Sequence, residues 1–245
     1  MTRYAYFDIA IGDITRHEDE CSRHASVKNW VTQWGASYGF SSNELDQISS
    51  TEKDTLRDIL ANDPTAQNEA WLVDPPQKLR GGRLVIELFD KDCPKTCENF
   101  ATLCKGGKIG KSSKKPLHYK GTLMFRLSPN FMVQGGDVTR GDGSGGDSIY
   151  NGKFNDEKPG LSKQYSQCGM VAMANSGKNS NTSQFFITLG DKDTNPAQFG
   201  KINGKYVIFG RVIDGLEVLT EINNVSVQGE KPLTNITIVD CGDGK

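Results

Sequence analysis

The stretch Phe125-Arg126-Leu127-Ser128-Pro129-Asn130-Phe131-Met132-Val133-Gln134-Gly135-Gly136-Asp137 completes one short apolar run, 122–127, and holds another, 131–134, with Ser-Pro-Asn between them. Runs this short, rich in branched and aromatic residues and separated by turn formers, predict strands rather than helix. Working outward, similar runs occur at 4–11 and 83–89 on one side, and at 169–173, 184–189, 206–212 and 234–240 on the other. Each is bounded by Gly, Asn, Asp or Pro, so the pattern is that of a sandwich or barrel and not of alternating strands and helices.

Only two segments between these runs carry a helical period. At 93–104, Asp92 offers a cap, Pro94 suits the first turn, Phe100, Leu103 and Cys104 share a face, and Gly106-Gly107 stops the helix. At 216–222, Leu216, Leu219 and Ile222 fall in line. The expected fold is mainly β, a sandwich or barrel, and two helices can plug the ends of a closed eight-stranded barrel. Side chains fill the interior of such a barrel, so a ligand would bind outside it.

Residues 13–79 differ in character. Val27, Trp30, Val31 and Trp34 recur at three and four residues, predicting an amphipathic helix over 19–38, weakened by Gly35 and ended by Gly39. A second helix is expected to start on Ser50 or Thr51, to bury Leu56, Ile59 and Leu60, and to end at Asp63-Pro64. Asp74-Pro75-Pro76 then reads as extended chain. The two tryptophans are expected in the packing seam of this helical unit or in its contact with the barrel.

Composition removes several classes of function. With 29 basic and 30 acidic side chains, the 245-residue chain offers no overall electrostatic footprint for nucleic acid, and the local patch Lys108, Lys111, Lys114, Lys115 reads as a solvated loop. No stretch approaches the roughly eighteen apolar residues of a membrane span, and the first residues lack a basic end followed by an apolar run. A cytoplasmic location is expected, in which the six cysteines are reduced thiols. Gly141, Gly143 and Gly146 match a dinucleotide fingerprint but open no helix, and Lys105 stands where a phosphate-binding loop ending in Gly110-Lys111-Ser112 needs glycine. His17, His24 and His118 are scattered, and Cys93 and Cys97 have no second ligand pair, so neither metal nor cofactor is expected.

Phe125-Arg126, Pro129 through Asp137, Met173-Ala174-Asn175-Ser176-Gly177 and Ser183-Gln184-Phe185-Phe186 together resemble the cyclophilin family of peptidyl-prolyl cis-trans isomerases. The resemblance extends over about 79–242, through Gly143 to Tyr150, Val207-Ile208-Phe209-Gly210 and Asp240-Cys241-Gly242. Tyr6 to Ile11 is similar to the family's first strand and Gly82 to Phe89 to its second, which a short turn normally joins. The expected organisation is one cyclophilin-like domain, its closed eight-stranded antiparallel barrel, capped by two helices, drawn from residues 1–12 and 80–245, with 13–79 as a helical insertion. Such a resemblance implies activity on X-Pro bonds of peptides and proteins, with a proline-peptide-binding module of little turnover as the alternative, recruited through an insertion that binds an unidentified protein.

Residue by residue, the resemblance implies Arg126 as the catalytic arginine and Gln134 as the side chain that orients it. Phe131, Met132 and Phe186 match the proline pocket, with Ile202 where leucine is usual, and Asn175 pairs through its backbone with the bound peptide. Ala174, Ser176 and Gln184 line the neighbouring groove. Phe125 and Tyr206 stand where many members have histidine, and Phe199 and Lys201 both compete for the place of a family tryptophan, so reduced affinity for cyclosporin is expected. Residues 105–117 resemble the lengthened loop of the divergent cyclophilins, in which a loop cysteine and a C-terminal cysteine are linked to redox control; their counterparts are Cys104 and Cys241, for which two buried reduced thiols is the competing reading.

Overall fold

The structure is a computed structural model that describes residues 2–244. In chain order its main elements are β1 (Arg3–Ile11), α1 (Ile14–Trp34), α2 (Ser50–Leu60), α3 (Pro64–Asn68), β2 (Arg80–Leu88), α4 (Pro94–Lys105), β3 (Arg126–Ser128) and β4 (Met132–Gly135). They continue with α5 (Lys158–Leu161), β5 (Met170–Met173), β6 (Phe185–Thr188), α6 (Pro196–Ile202), β7 (Ile208–Asp214), α7 (Leu216–Asn223) and β8 (Ile236–Asp243). The chain divides into two compact units, one formed by the stretches up to Gly12 and from Arg80 onward, the other by Asp13–Leu79.

The first unit is an eight-stranded antiparallel sheet in the order β8-β1-β2-β7-β5-β6-β4-β3. Its edges meet. Met124 N–H donates to the Ile236 carbonyl at 2.8 Å, Ile238 N–H to that of Thr122 at 3.0 Å, and Leu123 bridges Thr237. The run 122–127 is thus divided between two jobs: only from Arg126 does it pair with β4, while 122–124 closes the sheet against β8.

Alternation along the strands sorts side chains to two cores, because successive residues of a strand face opposite ways. Leu127, Val133, Val171, Met173, Phe185 and Ile187 join Phe7, Leu84 and Ile86 inside the barrel. Met132, Met170, Ala172, Phe186 and Ile208 point outward into a separate apolar cluster with Tyr165 and Phe199. α4 plugs the barrel interior with Cys97, Phe100, Leu103 and Cys104, and α7 with Val218, Leu219 and Ile222. Leu216, expected on the inner face of α7, is 48% exposed.

The start of α4 is capped from a distance. Asp92 makes an ion pair with Lys163 at 2.6 Å instead, and the Glu157 carboxylate accepts from Lys95 N–H, Thr96 N–H and the Thr96 hydroxyl. A helix N-terminus presents free amides and a positive dipole, and a carboxylate from another element satisfies both. The short helices α5 and α6 were not expected; each opens on a proline in its first turn.

In the second unit α1 begins at Ile14, earlier than expected, because the Asp13 side chain accepts from Arg16 N–H. A single 3-10 turn over Gly35–Tyr38 follows, closed by Gly39 at φ 79°. The cap of α2 is Ser49, not Ser50 or Thr51: it forms a capping box with Glu52. Asp63-Pro64 starts α3 rather than ending α2, with the Asp63 carboxylate accepting from Thr65 and Ala66. Val27, Val31, Leu45, Ile48, Leu56 and Leu60 are the core of this unit, and Trp30 and Trp71 pack against it. Trp34 does not; it is 45% exposed. No helix among the described residues is long and apolar enough to cross a membrane.

Candidate active site

β3 and β4 form a hairpin whose register sets the site. Arg126 lies directly opposite Gln134, so both side chains emerge on the outer face. The turn between them places Pro129 and then Asn130, at φ 58°, with Phe131 N–H returning to the Ser128 carbonyl at 3.0 Å. Proline followed by an asparagine that tolerates the left-handed region is what a type II turn asks for. Asn223 of α7 holds the turn, its carboxamide oxygen accepting from Asn130 N–H at 2.7 Å.

The rung continues across the sheet: Gln134 pairs with Phe186, and Phe186 with Ala172. Gln134 and Phe186 of this rung, with Arg126, Phe131, Met132, Ala174, Asn175, Ile202 and Tyr206, line a cavity of about 210 Å³, and Ala172 lies buried beneath it in the sheet. Rings shape its walls, since Phe186 meets Tyr206 edge to face at 5.5 Å and Phe131 meets Phe199 at 5.1 Å.

Polar groups form one chain of hydrogen bonds. Arg126 Nη1 donates to Gln134 Oε1 at 3.3 Å, and Gln134 Nε2 donates to Gln184 Oε1 at 2.9 Å. Gln184 Nε2 in turn donates to the carbonyls of Gly143 and Gly145 at 2.9 and 2.7 Å. Those glycines belong to a loop wrapped around Asp137, whose carboxylate accepts from the amides of Thr139, Arg140, Gly143 and Gly145. Burial pushes the Asp137 carboxyl up, but the backbone donors outweigh it and lower the pKa to about 2. A Cβ on Gly143 would lie 2.5 Å from the Phe125 ring, and one on Gly145 2.0 Å from the Thr139 hydroxyl. The loop borders a larger and more polar cavity of about 650 Å³, which Ala174, Asn175, Ser176 and Gln184 also line.

The sequence that builds this site has a match among known proteins. A family model for the cyclophilin type peptidyl-prolyl cis-trans isomerases matches residues 77–243. The chain belongs to the cyclophilin family. One relative, a peptidyl-prolyl cis-trans isomerase of Rhizopus delemar, is 47% identical over 166 residues, which is 67% of this chain and 46% of that protein. The chain thus spans about half the length of the curated relative it matches. The matched span begins at residue 77, after the last helix of the helical unit, yet in this cyclophilin β1, which precedes that unit, is paired with β2 from Arg3–Leu88 to Ile11–Arg80.

Most residues singled out from sequence meet around these two cavities; Phe125, Phe199, Lys201, Cys104 and Cys241 do not. Phe125 faces away from the proline-sized pocket; its ring lies against Gly143, and it lines a separate groove with Asp142 and Pro232. Phe199 is fully buried and supports Phe131 and Tyr165 from behind, so it does not present a face to ligand. Lys201 is exposed. Cys104 and Cys241 are free, buried thiols; Cys241 Sγ donates to the Cys104 carbonyl at 3.2 Å, and burial pushes the Cys241 thiol up to about 12. The loop carrying Lys108, Lys111, Lys114 and Lys115 leaves all four exposed and is tied down by Ser113 N–H on the Asp147 carboxylate at 2.8 Å.

Two site residues went unnoticed in the sequence. Tyr165 backs the cavity wall from the buried side, its ring 5.9 Å from that of Phe186. Glu230 grips Arg126 from the side opposite Gln134, its carboxylate accepting from Nε at 2.8 Å and Nη2 at 2.9 Å. Neither stands in a periodic run or a motif, so no local signal marked them.

Proposed function

We propose that this chain catalyses cis/trans isomerisation of X-Pro peptide bonds, with the proline ring in the pocket of Phe131, Met132 and Phe186 and Arg126 acting on the amide. The observation that carries this reading is a guanidinium held by partners on both edges beside a cavity walled by Phe131, Met132 and Phe186. The reaction breaks no bond. It needs the prolyl amide to twist out of resonance against about 18–20 kcal/mol, and only groups that bind the twisted state better than the planar ones accelerate it. On twisting, the proline nitrogen becomes pyramidal and gains a lone pair that a cationic donor can meet. A hydrogen bond of that kind contributes roughly 1.5–3 kcal/mol, or about ten- to a hundredfold in rate. Burial of the ring adds about 2 kcal/mol of binding shared by both isomers.

An exchange measurement by NMR on a short Ala-Pro peptide tests this, because it reads turnover and affinity in one sample. Accelerated exchange supports the isomerase; binding without exchange supports a proline-peptide-binding module. We further propose that cyclosporin binds weakly, supported by Phe199 being buried where an exposed indole would be needed. The unpaired cysteines support a reducing compartment such as the cytoplasm. Trp34 and Tyr38, both exposed, support a recruiting role for the helical insertion.

A further inference from the structure

We propose that Glu230 is the positioning residue for Arg126, an inference that rests on the isomerase reading above. Four observations converge on it. Glu230 accepts side-on from Nε and Nη2 in the bidentate arrangement that fixes the plane of a guanidinium, and not merely its charge. Its own main chain is docked on the arginine's strand, since Leu127 N–H donates to the Glu230 carbonyl at 2.8 Å. It sits at the tip of a tight hairpin in which Gln228 pairs with Lys231, with Gly229 at φ 66° beside it, so the carboxylate has a short, defined reach. Finally, the grip leaves the Nη1 end of the guanidinium for Gln134 and for a substrate: Glu230 takes two of the five N–H donors a guanidinium carries, on the edge away from Gln134.

Stability does not account for the pair. The two side chains are 42% and 49% exposed, and ion pairs in that setting contribute little to folding. Catalysis gives it a purpose. A half-exposed arginine with only the 3.3 Å contact to Gln134 would sample many rotamers, whereas the twisted amide needs its donor in one place. Glu230→Gln cannot substitute, because an amide offers a single acceptor oxygen and turns its own N–H₂ against the guanidinium.

The test compares the unsubstituted chain with Glu230→Ala, Glu230→Gln, Arg126→Ala and the Arg126→Ala/Glu230→Ala double variant by NMR exchange on an Ala-Pro peptide at limiting and saturating concentration. Both Glu230 variants are expected to turn over about five- to tenfold more slowly at saturation while the dissociation constant stays within about twofold. In the Arg126→Ala background the second substitution should have no further effect. The Arg126 Nε–H resonance, distinct in the unsubstituted chain, should lose its protection from water in Glu230→Ala while the remaining amide spectrum is unchanged. Turnover that is unaltered or raised in Glu230→Ala, or that falls equally with and without Arg126, overturns the proposal. Absence of exchange in the unsubstituted chain overturns the isomerase reading itself, and this inference with it.

Discussion

Arg126 and Gln134 could be paired from the sequence because they stand eight residues apart in one motif that resembles the cyclophilins, and the hairpin sets them opposite each other. Glu230 lies 104 residues from Arg126, on a hairpin with no apolar run, and only the closed sheet brings the two together. Removing the guanidinium should separate rate from affinity. Arg126→Ala is expected to lower turnover about a hundredfold, the scale seen when a single transition-state donor is lost, while peptide still binds through Phe131, Met132 and Phe186. Retention of full activity, read by the same NMR exchange, would end the mechanism. Phe199 teaches the opposite lesson. As one of two candidates for a missing tryptophan it looked like a ligand contact, yet α6 turns it into the cluster behind Phe131. Without an indole face and N–H donor at the rim, cyclosporin should bind roughly tens of times more weakly than to a cyclophilin that has them. Titration calorimetry reads this directly, and equal affinity would show that another side chain fills the role.

Elements were readable where a periodic face or a run of branched residues declared them, and unreadable at their ends. Asp92 and Ser50 were reasonable caps by proximity, but Glu157 and Ser49 won because a carboxylate from another element and a complete capping box each satisfy more amides. The loop 137–146 had no secondary structure to read at all; a single carboxylate organises it. In Asp137→Asn either orientation of the amide sets an N–H₂ group against backbone donors that now meet an acceptor. The expected loss is about 3 kcal/mol, measured by denaturant unfolding at neutral pH. The pH dependence has a definite sign. The folded carboxyl titrates at about 2, below its ordinary value near 4, so its contribution is complete above about pH 4 and is lost as pH falls toward 2. The gap between the unsubstituted chain and Asp137→Asn should close across that interval, and a gap that stays constant would show that the charge is not what holds the loop.

On the scale of the molecule, eight short apolar runs bounded by turn residues were enough to name a mainly β fold, although β5 and β6 are buried along their whole length and show no alternation in burial. The closing contacts were not readable, since 122–124 leaves one neighbour for another within a single run. Ile11 and Arg80 are partners across the mouth of the helical unit, so a two-residue Asn-Gly turn can join them. We expect that shortened chain to fold and to keep its turnover, since a loop on the order of 70 residues costs only about 3 kcal/mol more to close than a tight turn. A shortened chain that stays unfolded, or folds without turnover, would show that the barrel depends on Asp13–Leu79. All three tryptophans, Trp30, Trp34 and Trp71, lie in that unit, so selectively excited tryptophan fluorescence follows it alone in the full chain. The placement of β1 between β2 and β8 reaches further, into how the chain acquires its fold during synthesis. β1 is made long before its partner β8, with Tyr6 and Asp240 in contact across 234 positions. At translation rates of about 5–20 residues per second, that strand waits roughly ten to fifty seconds with an unpaired edge. The helical unit, a compact cluster within its own short span, is complete long before then and can fold while β1 still waits for β8.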